Sequence, residues 1–498
     1  MKANAIFALL ENGVQRDPNH GCLLADDGGS WLSYRAVQDA VLSSIRGLES
    51  SGVQAGDRVA IQMERPDRFV LAWLAVLSMN AVAVPLDCQA PSSDRARVLT
   101  LTGARWLIHD GREGEPPLPW GSIVGDGAHW RLQRPPQGAR WARRCESGGL
   151  ILLTSGTTGD PKPVGLPTLA LTHTASHIAA VHQLSDQDVG YSPLPLFHIN
   201  GEVVGVLSSL LVGAAVIVSH RFHAGRFWLV ANRENATWLN LVPSILKVLL
   251  AGDGGPRQGG RIRFIRSASA PLPASTLAAL TERWHIPVVE TYGMSEAASQ
   301  IAANPLEGSR PGSVGEPVGT EVRIVDECGM VAPVGQIGEV EIRGPAVIEP
   351  GWGPNRWALE RYHRGWYRTG DLGCFNAEGY LYLHGRLREL INRGGEKIFP
   401  REVEEILLEH PALLDCAVVG RPHHLLGEEP VAFVVPRHPA HDPVRLEQEL
   451  IRMTMTRLSR FKCPVQYFVV NTLPKGATGK ISKQSLRERA VGNASMFS

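Results

Sequence analysis

The sequence predicts an α/β protein. A large amino-terminal part of several subdomains carries mostly parallel sheets and a β-rich subdomain, and a small α+β part follows at the carboxy terminus. Three observations carry this expectation. Helical apolar faces alternate with short apolar strands up to about residue 310. Short alternating runs with Gly and Pro between them then take over. The texture changes again after His384-Gly385-Arg386.

The elements follow in chain order. Val37, Val41, Leu42, Ile45 and Leu48 mark one helix face, and Gly56-Asp57 turns the chain into a strand at Arg58–Gln62. Phe69, Val70, Trp73, Leu74 and Leu77 mark the next helix, followed by a strand at Ala81–Pro85. The rhythm recurs at Leu211–Ser219 and Ile286–Glu290, while residues 111–145, rich in Gly, Pro, Arg and Trp, read as irregular connection. Glu321–Val325 and Gly338–Ile342 are the strands of the β-rich part. Pro400–His410 reads as a helix with Pro400 just inside its start. The boundary falls near Arg388, giving residues 1–386 and 387–498 as the two domains.

Composition excludes several classes. The 498 residues are 44% hydrophobic and 20% charged, with 50 Lys plus Arg against 49 Asp plus Glu. That length allows about two to four domains. The balance leaves no electrostatic footprint for nucleic acid and argues against disorder. The seven cysteines, Cys22, Cys88, Cys145, Cys328, Cys374, Cys416 and Cys463, form no CxxC pair, so no disulfide framework or zinc–cysteine site is expected. The apolar runs Phe69–Leu86 and Val203–Val218 are interrupted and read as a buried helix entering a buried strand rather than a membrane span. The run Ala5–Leu10, broken by Glu11, is too short for a signal-peptide core. A reducing cytoplasm is the expected compartment.

The first stretch with chemistry is an apolar strand, Leu150–Leu153, running into Thr154-Ser155-Gly156-Thr157-Thr158-Gly159-Asp160-Pro161-Lys162. Glycines allow close approach of a phosphate, successive N–H groups form an anion nest, and four hydroxyls and a lysine add donors. The spacing is not that of a Walker loop, because Pro161 precedes and Pro163 follows Lys162. Five more stretches stand in order: "YSPLPLFH" at Tyr191–His198, "TYGMSE" at Thr291–Glu296, "YRTGDLG" at Tyr367–Gly373, "GRLRELINRGGEKIFP" at Gly385–Pro400 and "LPKGATGKI" at Leu473–Ile481.

These six stretches resemble the motifs of the adenylate-forming superfamily, which covers acyl-CoA synthetases, luciferases and the adenylation domains of peptide synthetases. The wording most resembles the oxalyl-CoA synthetase-like acyl-CoA ligases. The resemblance implies a carboxylate attacking the α-phosphate of ATP, loss of pyrophosphate, and attack of a thiol on the acyl-adenylate. Both steps concentrate negative charge and call for placed donors and cations. It further implies that Thr154, Ser155, Thr157, Thr158 and Lys162 hold the β- and γ-phosphates. Tyr292 packs on adenine, Ser295 faces the α-phosphate, Glu296 ligates Mg²⁺, Asp371 accepts from the ribose hydroxyls and Arg386 contacts ribose or phosphate. Lys480 is the catalytic lysine, on a mobile lid that turns about a hinge at Arg388, and Gly394-Gly395 line the acceptor tunnel.

Five residues at four places depart from the family's wording. Pro163 replaces a glycine, Ser295 a threonine, Gly476 a threonine, and His423-His424 an Asp-containing pair that here reads as a solvated loop. Phe197-His198-Ile199-Asn200 lacks the aspartate of amino-acid-activating relatives, so the acid is expected to carry no ammonium group. His198 lines the entry of the carboxylate, and Glu202, Arg266 and Ser267 are the remaining pocket candidates. Arg266 either pairs with a second carboxylate or is an arginine fixed at a strand edge. CoA is the expected acceptor, with Arg393, Lys397 and Arg401 as candidates for its phosphate; a carrier-protein phosphopantetheine is the alternative. A homodimer stays open.

Overall fold

The computed structural model describes residues 4–110, 131–133, 148–154, 162–438, 442–475 and 481–494. Among them, two largely parallel sheets form the body. One has nine strands, in the order Glu316–Pro317, Ala302–Ala303, Val288–Tyr292, Phe264–Ser267, Trp238–Leu241, Val189–Ser192, Ala215–Val218, Gly21–Ala25 and Leu32–Ser33. The other has six, in the order Arg131–Gln133, Trp106–His109, Arg58–Gln62, Val82–Pro85, Gly149–Thr154 and Lys162–Pro167. The strand at Arg131–Gln133 corrects the expectation of an irregular connection there: it pairs antiparallel with Trp106–His109. The rest of residues 111–145 lies outside the described residues.

Helices fill the space between the two sheets. Asn4 caps Ala5–Arg16 by accepting from Ile6 N at 2.7 Å, and Ser33 caps Tyr34–Ser50 by accepting from Ala36 N at 3.2 Å. Pro66 opens Pro66–Ser78, a helix buried over nearly its whole length, which accounts for its continuous apolar run. No helix of the described residues is long and apolar enough to cross a membrane. One core joins Ile6, Val37, Trp73, Leu150, Ala170, Val203 and Trp238, so both sheets share it.

The Val203–Val218 run is a helix entering a strand, as its pattern suggests, but its first half is π-helical, Asn200–Leu207. An α-helix at Ser208–Val212 and the strand Ala215–Val218 follow. Sequence periodicity does not register the wider turn. Its packing depends on glycine: a Cβ at Gly201 would lie 2.7 Å from Pro195 O, and one at Gly205 2.9 Å from Ser192 Cβ. The helix therefore rests directly on the carboxyl end of Val189–Ser192.

A five-stranded antiparallel sheet holds Glu321–Val325, Gly338–Arg343, Trp366–Phe375, Tyr362–His363 and Leu381–Arg386. A last sheet is built only from residues beyond the turn Leu387–Glu389: Glu396–Ile398, Ile391–Arg393, Gly427–Pro436, Leu413–His423 and Tyr467–Val469. Its core, around Ile391, Val403, Leu407, Val418 and Leu450, is separate from that of the body. The helix Pro400–Leu407 has Pro400 at its first position, as the sequence indicates, and stops short of His410.

Trp238 is fully buried, stacks on Phe264 at 5.8 Å and packs on Gly190. Trp238→Ala is expected to destabilise the body by about 3–5 kcal/mol, read as a lower urea midpoint of the first unfolding transition. An unchanged midpoint would contradict this packing.

Candidate active site

In the nine-stranded sheet, Val189–Ser192 connects to Ala215–Val218 on one side, and the chain then crosses to Trp238–Leu241 on the other and continues outward. The strand order reverses at that point, and such a crevice at the carboxyl ends of parallel strands is where open α/β sheets bind ligands. The loop after Ser192 carries His198, the segment after Ser267 carries Ser269, and the turn after Tyr292 carries Ser295 and Glu296. Gly293 permits that last turn, because a Cβ there would overlap Ser299 O.

A buried polar cluster lies at these strand ends. Arg266, 1% exposed, donates from Nη1 to Asn200 Oδ1 and Asn240 Oδ1, each at 3.1 Å, and from Nη2 to Gln300 Oε1 at 3.3 Å. Asn240 Nδ2 donates to Asn200 Oδ1 and Ser192 Oγ, and Asn200 Nδ2 to Ser269 Oγ. Burial lowers the Arg266 pKa to about 9. Glu202, in the first turn of the π-helix, is wholly buried, and neither carboxylate oxygen has a hydrogen-bond partner. Burial raises its pKa well above the carboxylate range. Burial alone drives both shifts, so the two groups do not neutralise each other. Ser267, buried beside Arg266, pairs in register with Glu290.

A second group of side chains meets at the edge of the same sheet. The Tyr292 hydroxyl donates to Asp371 Oδ2 at 2.5 Å, and Arg386 Nε lies 2.7 Å from Asp371 Oδ1. Asp371 and Arg386 are direct cross-strand partners. Burial, then the Asp371 charge, pushes the Tyr292 phenol well above its usual range, while Asp371 raises Arg386. The Glu296 charge contributes to raising the pKa of both Tyr367 and Arg386.

The phosphate-loop strands bring in the third group. Thr154 and Lys162 are cross-strand partners, and Thr154 Oγ1 donates to Lys162 O at 3.2 Å. Lys162 Nζ sits 5.2 Å from the Trp357 ring centre. The strand Lys162–Pro167 packs against the turn Ser295–Ala297, and Ile348 N donates to Glu296 O at 2.8 Å. Pro163 fits because Lys162–Pro167 is an edge strand; its carbonyl accepts from Trp357 Nε1 at 2.7 Å. Ser155, Thr157, Thr158, Gly476 and Lys480 lie outside the described residues.

The hinge and tunnel candidates also have defined settings. Arg388 lies in the turn Leu387–Glu389, where burial and the Arg386 charge lower its pKa. Its carbonyl accepts from Arg487 Nη1 at 3.2 Å, and Lys483 Nζ bridges Glu389 at 3.3 Å and Glu404 at 2.7 Å. Gly394 and Gly395, with φ of +60° and +93°, form the two-residue turn between Ile391–Arg393 and Glu396–Ile398, a conformation that selects glycine. The three basic candidates are engaged within the chain. Arg393 donates to Phe461 O at 2.8 Å, Lys397 pairs with Glu327, and Arg401 pairs with Glu405 and donates to Leu383 O. His423 and His424 stack, and His423 Nδ1 accepts from Leu425 N and Leu426 N, as a loop histidine would.

The sequence reading missed Asn200, Asn240 and Gln300 as partners of Arg266, and Trp357 as the partner of Lys162. Asn240 left a signal, a polar residue inside the apolar strand Trp238–Leu241. Trp357 left none, because 194 residues separate it from the Pro163 carbonyl it bonds.

The Thr154–Lys162 strand pair, the Glu296 turn and the polar strand ends together make up a candidate enzyme active site. Family comparison agrees. Residues 10–350 match the AMP-binding enzyme family and residues 402–480 the AMP-binding enzyme C-terminal domain. The chain belongs to this family of adenylate-forming acyl-CoA ligases. It is 34% identical over 510 residues to an oxalate–CoA ligase of Arabidopsis thaliana, covering 97% of this chain and 98% of the relative. It is also 34% identical over 511 residues to a sulfoacetate–CoA ligase of Cupriavidus necator, covering 98% of each. The solved structure of an anthranilate CoA ligase with anthranoyl-AMP superposes with a TM-score of 0.86 at 25% identity, covering 98% of each chain. The protein is an AMP-forming acid–thiol ligase that activates a carboxylic acid as its adenylate and forms a CoA thioester.

Glu290, 5% exposed in the strand that leads to Tyr292, has its pKa raised to about 7 by burial, against the opposing effects of Gly312 N and Arg401. Its contribution to stability is present in full below pH 4.5, the ordinary value, and is lost as pH rises through about 7. Wild type is therefore expected to lose stability relative to Glu290→Gln between pH 4.5 and about pH 7, by no more than about 3 kcal/mol. Parallel melting curves at several pH values check this, and a pH-independent gap would contradict it.

Proposed function

We propose that this ligase activates a small, short-chain carboxylic acid, with the nucleotide held where the six-stranded, nine-stranded and five-stranded sheets meet. Lys162, Thr154 and the loop residues Ser155, Thr157 and Thr158 hold the β- and γ-phosphates. Tyr292 packs on adenine, Asp371 accepts from ribose, Arg386 contacts ribose or phosphate, and Ser295 faces the α-phosphate. His198 lines the carboxylate entry, with Glu202, Arg266 and Ser267 behind it. The observation that carries this reading is the meeting of three groups: Lys162 on a strand packed against the Glu296 turn, Glu296 acting electrostatically on Arg386, and Arg386 paired with Asp371 and through it Tyr292.

The donor set suits Mg²⁺. A single carboxylate, Glu296, completed by phosphate oxygens, is how this ion is commonly held in phosphoryl sites. When bound, the ion neutralises charge on the triphosphate. Asn200, Asn240, Ser267 and Gln300 are buried polar groups where a long apolar acid would need an apolar wall, which supports a small substrate. The oxalate and sulfoacetate named for two relatives are both small acids.

Residues 387–498 act as the lid, turning about Arg388 so that Lys480 reaches the α-phosphate in the first half-reaction and the Gly394-Gly395 turn lines the acceptor tunnel in the second. Support comes from the character of the junction. It includes Lys247–Asp415 at 3.1 Å, Lys397–Glu327 and the Arg401 bond to Leu383 O. Lys397–Glu327 is an exposed pair, of a kind that contributes about 0–1 kcal/mol, and the other two are single polar contacts, so the lid can leave them. CoA is the acceptor; a carrier protein is a second reading, favoured by Leu425, 78% exposed next to Leu426, whose carbonyl accepts from Gly394 N. None of the six cysteines of the described residues forms a disulfide, in keeping with a reducing compartment such as the cytoplasm.

Acid-dependent pyrophosphate release, followed by thioester formation with free CoA or a phosphopantetheinylated carrier, tests the reading. Asp371→Ala is expected to raise the KM for ATP by on the order of tenfold to a hundredfold with the KM for acid little changed. Lys480→Ala is expected to lower pyrophosphate release by on the order of a hundredfold or more. Full activity in either variant, or transfer only to the carrier, would overturn the corresponding assignment.

A further inference from the structure

Lys483 stands three residues after Lys480 and opens the helix Lys483–Ala494. Three residues of chain span at most about 11 Å, so whatever fixes Lys483 limits where Lys480 can go. The Lys483 ammonium lies 2.7 Å from Glu404 Oε1 and 3.3 Å from Glu389 Oε2. The two carboxylates come from different places. Glu404 is in the helix Pro400–Leu407, and its Oε1 also accepts from Val418 N at 2.8 Å, so it belongs to the framework of the carboxy-terminal part. Glu389 closes the turn Leu387–Glu389, directly after Arg388. The three side chains are only 17–22% exposed, so salt screens these pairs less than surface ones. Burial works against the charge on Lys483, but Glu404 and Glu389 outweigh it and hold its pKa above the ordinary lysine value. Anchoring the helix to its own sheet needs only Glu404. The second carboxylate connects the helix to the turn.

The same end of the chain is tied down at further points. Lys475 and Ile481 form an antiparallel bridge, and Ser482 N donates to Pro474 O at 2.8 Å, which closes the base of the stretch that carries Lys480. One helical turn beyond Lys483, Arg487 Nη1 donates to Arg388 O at 3.2 Å, across 99 residues of sequence. Lys483 and Arg487, at i and i+4, share a helix face, and both reach the turn Leu387–Glu389. On the other side of that turn, Arg386 is held to Asp371 of the antiparallel sheet. A rotation of the carboxy-terminal part that keeps both sets of bonds must therefore change the backbone between Arg386 and Arg388, not beyond Glu389.

We propose that Lys483 is a positioning residue for Lys480: its bridge to Glu389 makes the pivot turn and the base of the Lys480 stretch one rigid arm, so that rotation at Arg388 delivers Lys480 to a fixed point at the α-phosphate. The inference rests on the reading above that Lys480 serves the first half-reaction from a part that turns about Arg388. It adds a residue that acts through Lys480 and not on the nucleotide. Loss of the bridge costs precision of placement and not binding, and a misplacement of about 1 Å lowers a chemical step by about a hundredfold.

The test measures the two half-reactions apart in the full chain, for wild type, Lys483→Met, Lys483→Arg, Glu389→Gln, Lys480→Ala and the double variant Lys480→Ala with Lys483→Met. The first is pyrophosphate release with ATP and whichever of acetate, butyrate, malonate and oxalate wild type turns over fastest. The second is thioester formation from CoA and the supplied adenylate of that acid. Lys483→Met is expected to lower kcat of the first by about tenfold to a hundredfold, with the KM for ATP and for acid unchanged and the second reaction little changed. Lys483→Arg is expected to restore most of the loss, because charge and reach remain. Glu389→Gln keeps the Lys483–Glu404 pair and is expected to show the same pattern at smaller size. In the Lys480→Ala background, Lys483→Met is expected to add nothing, since the residue it positions is gone. Equal loss in both half-reactions, a raised KM for ATP with kcat intact, or additive losses in the double variant would overturn the proposal. Should Lys483→Met fail to fold by circular dichroism, Lys483→Arg and Glu389→Gln still decide. A wild type that depends on Lys480 but tolerates Lys483→Met refutes the arm alone. Full activity of Lys480→Ala, or no pyrophosphate release from wild type with any of the acids, refutes the reading on which the arm rests.

Discussion

One carboxylate ties the molecule together. Asp371 accepts from Tyr292, which ends a strand of the nine-stranded sheet, and pairs with Arg386, the last residue before the turn that leads into the carboxy-terminal part. The bond thus joins the parallel body, the antiparallel sheet and the start of the carboxy-terminal part through a single side chain. Tyr292 is buried, and its phenol cannot ionise in that setting, so it remains a donor. In the proposed reaction the same carboxylate accepts from ribose hydroxyls, and ligand binding would then have to redistribute bonds at the very point where body and lid meet. The segment beyond that point is itself gripped. Lys483 keeps its charge between Glu389 and Glu404, which outweigh the cost of burying it, and Arg487 holds the Arg388 carbonyl. A hinge turn fastened to the last helix would carry that helix with it.

Much of the fold was legible because the parallel strands are buried on both faces and write themselves as continuous apolar runs. Arg58–Gln62 and Glu321–Val325 were read to the residue, and Val82–Pro85 and Gly338–Arg343 to within one. What periodicity could not show was the π-helical geometry of Asn200–Leu207. Valines and glycines in that order satisfy an α pattern equally well, and the wider turn follows from resting Gly201 and Gly205 on another strand's end. The order of strands, and hence the place where it reverses, is likewise a long-range property that no local window contains.

The site divides along the same line. Asp371, Arg386, Tyr292, Glu296 and Lys162 sit in ordered motifs, and the structure brings them together. Arg266 was legible as a pocket candidate or an arginine fixed at a strand edge, but its environment was not. Whether it met a carboxylate or only amides depended on Asn200, Asn240 and Gln300, which lie 66, 26 and 34 residues away. The basic residues near the Gly394-Gly395 turn show the reverse. Their charge is plain in sequence, yet Arg393, Lys397 and Arg401 each already hold a partner in the fold.

The account comes down to where one bond forms: between a substrate carboxylate oxygen and the α-phosphorus of ATP. The most direct measurement follows that oxygen. With an acid labelled by heavy oxygen in its carboxylate, turnover with ATP and CoA is predicted to place one labelled oxygen in AMP and none in pyrophosphate. Label appearing in inorganic phosphate, with ADP as the nucleotide product, would contradict it.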